Sequence, residues 1–558
     1  MSVREPLRRW LLVASLVVAA ALVVGAFNPA PHSGGDNAAY LSLAHALVEG
    51  EGYVDAYDPV GARHTKYPPL FPLLLAGLAA AGAATWTAFK ALVAVATVAG
   101  VGFTFLWAER RLGPWRAFSV AVLVAASAGV VYYSHWVLSE PVFVVLTLAS
   151  LWALERGEAK QWDRRWIAFG AAAALAAYFT RSAGLPLLVA VLAWLGLRRR
   201  FRELTAVAAA FAVPALVWLW WGRGAGVGDY TTEFWLADPY QPGLGTVGLA
   251  GLAGRALENG VAYAIRHVPA AVVGSQGVWT IALGVVLVGA ALFGWASKVR
   301  REPGAAELFV PLYVGLILLW PEVWGGDRFV LPVLPLVFLY GSEALEQTTQ
   351  RLGGGARVVA AAVLVGLLLP ALGSWAGASR DARACSAAIA SGGPFACYGT
   401  RVTEFVAAAG WMGVELPEGA AVMTRKPRIF YVMSGGVPSR TFPFDPDPRV
   451  LLAEADEVGA RYVLLDRWDG QAGRFVGEAV RARPGAFCFV RGFGPGPAGA
   501  SQLLGILPSE QRTAGDVDDQ GGVALGRCPE SWVRESSAGA SYASPLSTRI
   551  PLFSLRTP

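Results

Sequence analysis

The sequence predicts a polytopic α-helical membrane protein of about eleven transmembrane helices, followed by a soluble α/β domain. Three observations predict it. Over 558 residues the hydrophobic types AVILMFWYC make up 55%, mean hydropathy is +0.47 and charged residues are 15%, against about 25% in soluble chains. Apolar runs near bilayer length alternate with short basic clusters. After residue 375 the composition changes: Asp, Glu, Arg and Pro become frequent, and no apolar run is long enough to span. Disordered, collagen-like and small disulfide-scaffold classes are excluded. The formal net charge of +6 does not indicate nucleic-acid binding, because the basic residues sit between apolar runs, where topology accounts for them.

Arg4, Arg8 and Arg9 precede an apolar run from Trp10 to Phe27, which reads as a signal anchor because more spans follow. Basic loops recur at Arg110, Arg111 and Arg116; at Arg156, Lys160, Arg164 and Arg165; at Arg198 to Arg200 with Arg202; at Lys298, Arg300 and Arg301; and at Arg351 and Arg357. The positive-inside bias places all of them in the cytoplasm. Parity then allows only one crossing within 68–108. Ala88 to Ala108 takes it, and the shorter Pro68 to Ala84, opening Pro68-Pro69-x-x-Pro72, reads as an interfacial or re-entrant helix on the outer side. The remaining spans fall near 117–135, 141–155, 165–180, 183–197, 204–221, 276–297, 307–321, 329–345 and 357–375. The N-terminus is then cytoplasmic, in a cytoplasmic (inner) membrane. Segment 1–375 forms the membrane domain, with extracytoplasmic loops at 28–87 and 222–275.

The tail, 376–558, is expected to be extracytoplasmic and α/β. Strand-like Ala420 to Thr424, Arg461 to Asp466 and Phe487 to Arg491 alternate with helical Pro427 to Met433 and Arg449 to Val458. All four cysteines, Cys385, Cys397, Cys488 and Cys528, fall here. An even count on the oxidising side points to disulfides. Three pairings are possible, of which Cys385–Cys397 with Cys488–Cys528 is the most local. No C-x-x-C or nearby His supports a metal site. No repeat, P-loop or well-placed GxGxxG occurs, and Gly353 to Gly355 reads as a flexible cytoplasmic turn.

Ionisable residues at membrane ends are costly unless solvated, paired or used, and in this topology the unusual ones gather outside. Asp36, in Gly34-Gly35-Asp36-Asn37, opens a short amphipathic helix carrying Tyr40, Ala44, Leu47 and Gly50; an N-cap role and a catalytic one are equally compatible with that position. Lys66 and Tyr67 precede the stiff Pro68-Pro69, where a lysine ordinarily snorkels to headgroups. Glu140 precedes Pro141 at a helix start, where the dipole alone favours an acid. Arg181 lies in a tight turn and Arg328 follows Asp327 at the head of a span. Outer arginines run against the charge bias, and a bound anion explains them, with headgroup contact or an Asp327–Arg328 pair as the plainer alternatives.

The ordered motifs Asp36-x-x-x-Tyr40-x-x-x-Ala44-x-x-Leu47-x-x-Gly50, Lys66-Tyr67-Pro68-Pro69-Leu70, Leu138-Ser139-Glu140-Pro141, Thr180-Arg181 and Asp327-Arg328-Phe329-x-Leu331-Pro332-x-Leu334-Pro335 resemble the GT-C glycosyltransferases. The likeness is to the protein O-mannosyltransferase and lipid A aminoarabinose transferase branch, over roughly residues 10–345, and Pro417 to Asp466 resembles the C-terminal domains of bacterial members. The resemblance implies a GT-C membrane fold and transfer of a sugar from a polyprenyl-phosphate carrier to a lipid, glycan or protein acceptor outside the cytoplasm. It implies Asp36 as general base, Glu140 as the second acid and Lys66 as a carrier-phosphate ligand. The protein O-mannosyltransferases carry an Asp-Glu pair where this chain reads Asp36-Asn37, a departure that bears on the protein-mannosylating activity itself.

That chemistry needs one positioned carboxylate and cations around the leaving phosphate. Asp36 supplies the first; Lys66, Arg181 and Arg328 supply the second, with Tyr40 and Tyr67 beside them. A single inverting displacement is the natural route, and Glu140 as nucleophile gives a retaining one. No cofactor is required, and no carboxylate cluster indicates a divalent cation. The expected partners are the polyprenyl-phosphate sugar, the acceptor and the bilayer, with no nucleic acid. The competing class is a transporter or flippase for a lipid-linked or anionic substrate. It is disfavoured because its charges would lie at mid-bilayer on broken helices in repeated halves.

Overall fold

Apolar runs bounded by Pro, Gly and basic residues fold as helices throughout the first 392 residues of the computed structural model. The structure describes residues 4–223, 230–239, 241–275, 277–350, 355–495, 500–513, 525–534 and 550–553. Arg351, Gly353 and Gly354, read above as part of a cytoplasmic turn, lie outside the described residues. Among the described residues five helices are long and apolar enough to cross a membrane: Glu5–Gly25, Trp86–Leu112, Phe201–Trp221, Val278–Arg301 and Val358–Gly392. Leu70–Ala80, Pro114–Ala126, Ser182–Leu197 and Ala305–Leu319 are apolar but shorter. Leu70–Ala80, with 11 residues, extends about 16 Å at 1.5 Å per residue, half of a hydrocarbon core.

Three sequence expectations change. The stretch 117–135 is two helices, Pro114–Ala126 and Ala128–Tyr133, because Ser127 takes an extended ψ of 129° while its Oγ donates to Leu123 O at 2.7 Å. The loop 222–275 contains the helices Tyr230–Trp235, Leu249–Ala262 and Val268–Val273, the last two joined by a π-turn at Tyr263–His267. The expected boundary at 375/376 falls inside the continuous helix Ala356–Gly392.

The chain divides into two units. One comprises Met1–Asn28, Thr65–Phe71 and Lys90–Ala382; the other comprises Pro29–His64, Pro72–Phe89 and Arg383–Pro558. In the first unit Phe105, Trp107, Phe143, Trp194, Phe309, Tyr313 and Tyr340 fill the core. Helices approach closely where side chains vanish, as membrane helices do at small residues. A Cβ on Gly170 would lie 2.7 Å from Leu154, and one on Gly294 would strike the Tyr340 carbonyl. Arg111, read from sequence as part of a basic loop, is instead half-buried in a polar knot. It pairs with Glu155 and, at 2.8 Å, with Glu307, whose Oε1 also accepts from Tyr340 Oη at 2.7 Å.

The second unit holds a five-stranded sheet: β1 (Val422–Met423), β2 (Ser439–Arg440), β3 (Tyr462–Leu465), β4 (Phe487–Phe493) and β5 (Ser501–Ile506), in spatial order β2-β1-β3-β5-β4. The β1 pairs are parallel, Val422 facing Ser439 and Tyr462, while β5 runs antiparallel to β3 and β4. Met423, Val463, Leu504, Val476 and Ala479 belong to its core. The sequence patterns that marked β1, β3, β4 and the helices Pro427–Ser434 and Pro448–Glu457 did not mark Thr400–Glu415, Gln471–Ala482 or β5. The cysteines form Cys385–Cys397 and Cys488–Cys528.

Segment 29–64, expected to belong with the membrane domain, instead groups with this second unit because its polar groups are satisfied there. Ser439 N donates to Tyr57 O at 2.6 Å, and Arg440 grips Asp58 with two bonds of 3.1 Å. The ring of His45 meets Tyr431 and Phe553 edge-on.

Candidate functional site

Glu140 begins the helix Glu140–Ala159, with Pro141 in the first turn. An acid there is favoured by the positive end of the dipole. It is 1% exposed, and a carboxylate so buried requires compensation. Compensation comes from two arginines far along the chain. Arg181 Nη1 lies 2.8 Å from Glu140 Oε1 and donates to Ser139 Oγ at 2.9 Å, and Arg328 Nε approaches the same Oε1 at 3.7 Å. Neither Glu140 oxygen accepts an aligned hydrogen bond among the described residues, so charge holds the cluster.

Local structure aims both guanidiniums. Arg181 has extended backbone at the end of Arg164–Thr180 and leads into the 3-10 turn Ser182–Gly184. That turn folds so tightly that a Cβ on Gly184 would lie 2.6 Å from Tyr178 N. Arg328 sits in the 3-10 turn Asp327–Val330, entered through Gly326 at φ 155°. The Phe329 ring lies 5.8 Å from the Arg181 guanidinium and 5.0 Å from that of Arg328, and Tyr313 Oη donates to Phe329 O at 3.1 Å, fixing that loop. Asp327 accepts from Tyr133 Oη at 2.9 Å. Two cations thus share one buried carboxylate, and guanidinium is the fork that suits phosphate oxygens.

Lys66 meets a residue that sequence reasoning missed. Its Nζ donates to both oxygens of Glu233, at 2.7 and 2.8 Å, and lies 4.8 Å from the Trp324 ring and 5.3 Å from that of Tyr230. Nothing local distinguishes Glu233 in Tyr230-Thr-Thr-Glu-Phe-Trp235, so no sequence signal could have singled it out. Tyr67 is buried. The 320–333 segment therefore touches Lys66 through Trp324 and Glu140 through Arg328. A second missed pair lies near Asn28, whose carbonyl accepts from the buried Lys90 Nζ at 2.9 Å; the buried ring of His135 is edge-on to Phe27.

In the other unit, Asp36 lies in the first turn of Gly35–Val48, half-buried. Gly34 is the N-cap, so Asp36 does not cap this helix. Nor is the helix amphipathic: Asn37, Tyr40, Leu41, Ser42, Leu43 and Ala44 are all buried, spanning every face. Asn37 Nδ2 donates to His32 O at 3.0 Å, and Tyr40 is 2% exposed.

In the first unit a cavity of about 320 Å³ is lined by Ala128, Gly129, Tyr132, Gly274, Asp327 and Trp375, among others. Among the described residues no group of three His, Cys, Asp or Glu side chains is placed to hold a metal ion.

No protein-family model matches the sequence, and no curated protein matches it. Solved structures do match by fold. The oligosaccharyltransferase of Archaeoglobus fulgidus, solved with zinc and sulfate, superposes with TM-score 0.56 at 15% identity, covering 86% of this chain and 72% of its own. ArnT from Cupriavidus metallidurans, bound to undecaprenyl phosphate, gives TM-score 0.56 at 12% identity over 89% of this chain and 98% of its own. The archaeal enzyme in complex with an inhibitory peptide and a dolichol-phosphate gives 0.54 at 12% identity, over 90% and 74%. The similarity runs through both units rather than through the membrane helices alone, and it shows that this chain shares the fold of these oligosaccharyltransferase and ArnT structures.

Proposed function

We propose that the chain is a membrane glycosyltransferase that takes a sugar from a polyprenyl-phosphate carrier and passes it to a lipid, glycan or protein acceptor on the extracytoplasmic face. The observation that carries this reading is the convergence of Arg181 and Arg328 on the buried Glu140 within a GT-C fold. Polyprenyl-phosphate complexes of two proteins with that fold support the choice of donor.

In the proposed reaction the Asp36 carboxylate takes the proton of an acceptor hydroxyl. The hydroxyl oxygen attacks the anomeric carbon, and the bond from that carbon to the carrier phosphate breaks, its electron pair leaving with the phosphate. Lys66, Arg181 and Arg328 meet the charge that develops there. Glu140, paired and buried, serves as a positioning residue that keeps both guanidiniums aimed. The step needs no cofactor, because a phosphodiester-linked sugar is already activated. The topology that accompanies this reading has eleven crossings, a cytoplasmic N-terminus and the C-terminal domain outside.

The test is incubation of purified protein with a panel of radiolabelled polyprenyl-phosphate sugars. Release of label to water or to an extracted lipid acceptor is expected from at least one. Carrier movement across vesicles without any cleavage would replace the transferase by a flippase.

A further inference from the structure

The parallel strands of the second unit lie in the order β2-β1-β3. From β1 the chain runs through Pro427–Ser434 to β2, then through Pro448–Glu457 to β3 on the other side of β1. The reversal of strand order at β1 makes the crevice outside the carboxyl ends of β1 and β3 the place where open α/β sheets bind ligands.

Thr424-Arg425-Lys426 follow β1 at that edge, and Asp466-Arg467-Trp468-Asp469 follow β3. Thr424 is 0% and Asp466 3% exposed. Asp466 Oδ1 accepts from Trp468 N at 2.8 Å, but Asp466 Oδ2 and Thr424 Oγ1 have no hydrogen-bond partner among the described residues. A buried polar atom left unmet is costly and calls for an explanation. Here two of them adjoin a pair of cations. Arg425 Nε and Lys426 Nζ lie 2.8 and 3.6 Å from one oxygen of Asp469, with the Phe444 ring 5.1 Å from the Arg425 guanidinium. Arg467 points elsewhere, to Glu404 at 2.6 Å, and the part-exposed Trp468 packs edge-on against Phe405. Burial, with Asp469 nearby, pushes the Asp466 carboxyl up to about 6 despite Arg425 and Lys426.

A free phosphate would set its oxygens against the unpaired oxygen of Asp466, and a metal ion would face Arg425 and Lys426. A hydroxylated ligand meets both demands, since each hydroxyl donates and accepts. We infer that this edge is a saccharide-binding site, in which one sugar hydroxyl donates to Asp466 Oδ2, a neighbouring one accepts from Thr424 Oγ1, and Arg425 and Lys426 supply further donors. It goes beyond the transferase reading, which gives none of these side chains a part in the reaction.

Saturation-transfer NMR on the full chain in detergent, with methyl glycosides of mannose, glucose and arabinose, tests the site without any transfer reaction. Binding of at least one glycoside is expected, weakened about tenfold by Thr424→Val and by Asp466→Asn, the worth of one hydrogen bond to a charged or buried group. Melting temperature verifies that each variant folds, and if one does not, the other decides. The site is overturned if no glycoside binds, if binding is undiminished in the folded variants, or if inorganic phosphate alone binds with the same sensitivity to them.

Discussion

Arg181 Nη1 stands 2.8 Å from Glu140 Oε1, and that contact joins the end of one helix to the start of another in the first unit. Glu140 is buried and its partner mostly so, so removing either charge strands the other. Glu140→Gln should destabilise the fold by about 3 kcal/mol, the cost of breaking a buried pair. In the protein that still folds, turnover should fall on the order of 100-fold, as misplaced groups do, while donor KM changes less. Melting curves and a kcat-against-KM comparison check this; a larger effect on KM than on kcat would make Glu140 a binding residue.

Lys66 and Arg328 are expected to bind the leaving phosphate. Lys66→Ala and Arg328→Ala should each weaken donor binding about tenfold or more, the worth of a charge-assisted hydrogen bond. Because Lys66 also holds Glu233, the variant Glu233→Gln serves as the control for simple loss of that ion pair. Unchanged donor affinity in both cation variants would return them to headgroup contacts.

Asp36 lies in the first turn and Gly34 is the cap, so Asp36→Asn keeps the cap and gives up the favourable charge–dipole term, about 0.3–1 kcal/mol. Loss of general-base help should nevertheless slow transfer about 100-fold or more. A near-normal rate in a preparation free of contaminating enzyme would withdraw the assignment.

The Asp466 carboxyl sits at about 6, above its ordinary value of 3.8, chiefly through burial. A carboxyl raised in the folded state binds its proton more tightly there than in the unfolded chain. Its stabilising contribution is complete below about pH 4 and lost as pH rises through about 6. Asp466→Asn should therefore melt higher than wild type at pH 7–8, by on the order of 3 kcal/mol at most, and equal it below about pH 4. Melting scans across that window check the sign.

The helices of the first unit and half of the sheet were legible locally, because hydrophobic period, Pro–Gly punctuation and helix-start acids act over a few residues. β5 was not. Its Gly505 breaks the strand pattern, yet it lies opposite Cys488, where a Cβ would crowd both Sγ atoms of the Cys488–Cys528 bond. The register of two strands, and not any local preference, explains that glycine.

Among the candidate residues the sequence alone indicated which side chains are costly where they stand: Asp36, Lys66, Glu140, Arg181 and Arg328 all lie near the ends of apolar runs, and such a position is a local property. Which of them meet was decided by tertiary structure. Lys66 and Glu233 are 167 residues apart in the chain, and Arg111, one more basic loop residue by pattern, pairs with Glu155 and Glu307. Charge pairing follows from how helices pack, and packing depends on the volumes and small residues of every neighbour at once, so no window of sequence contains it.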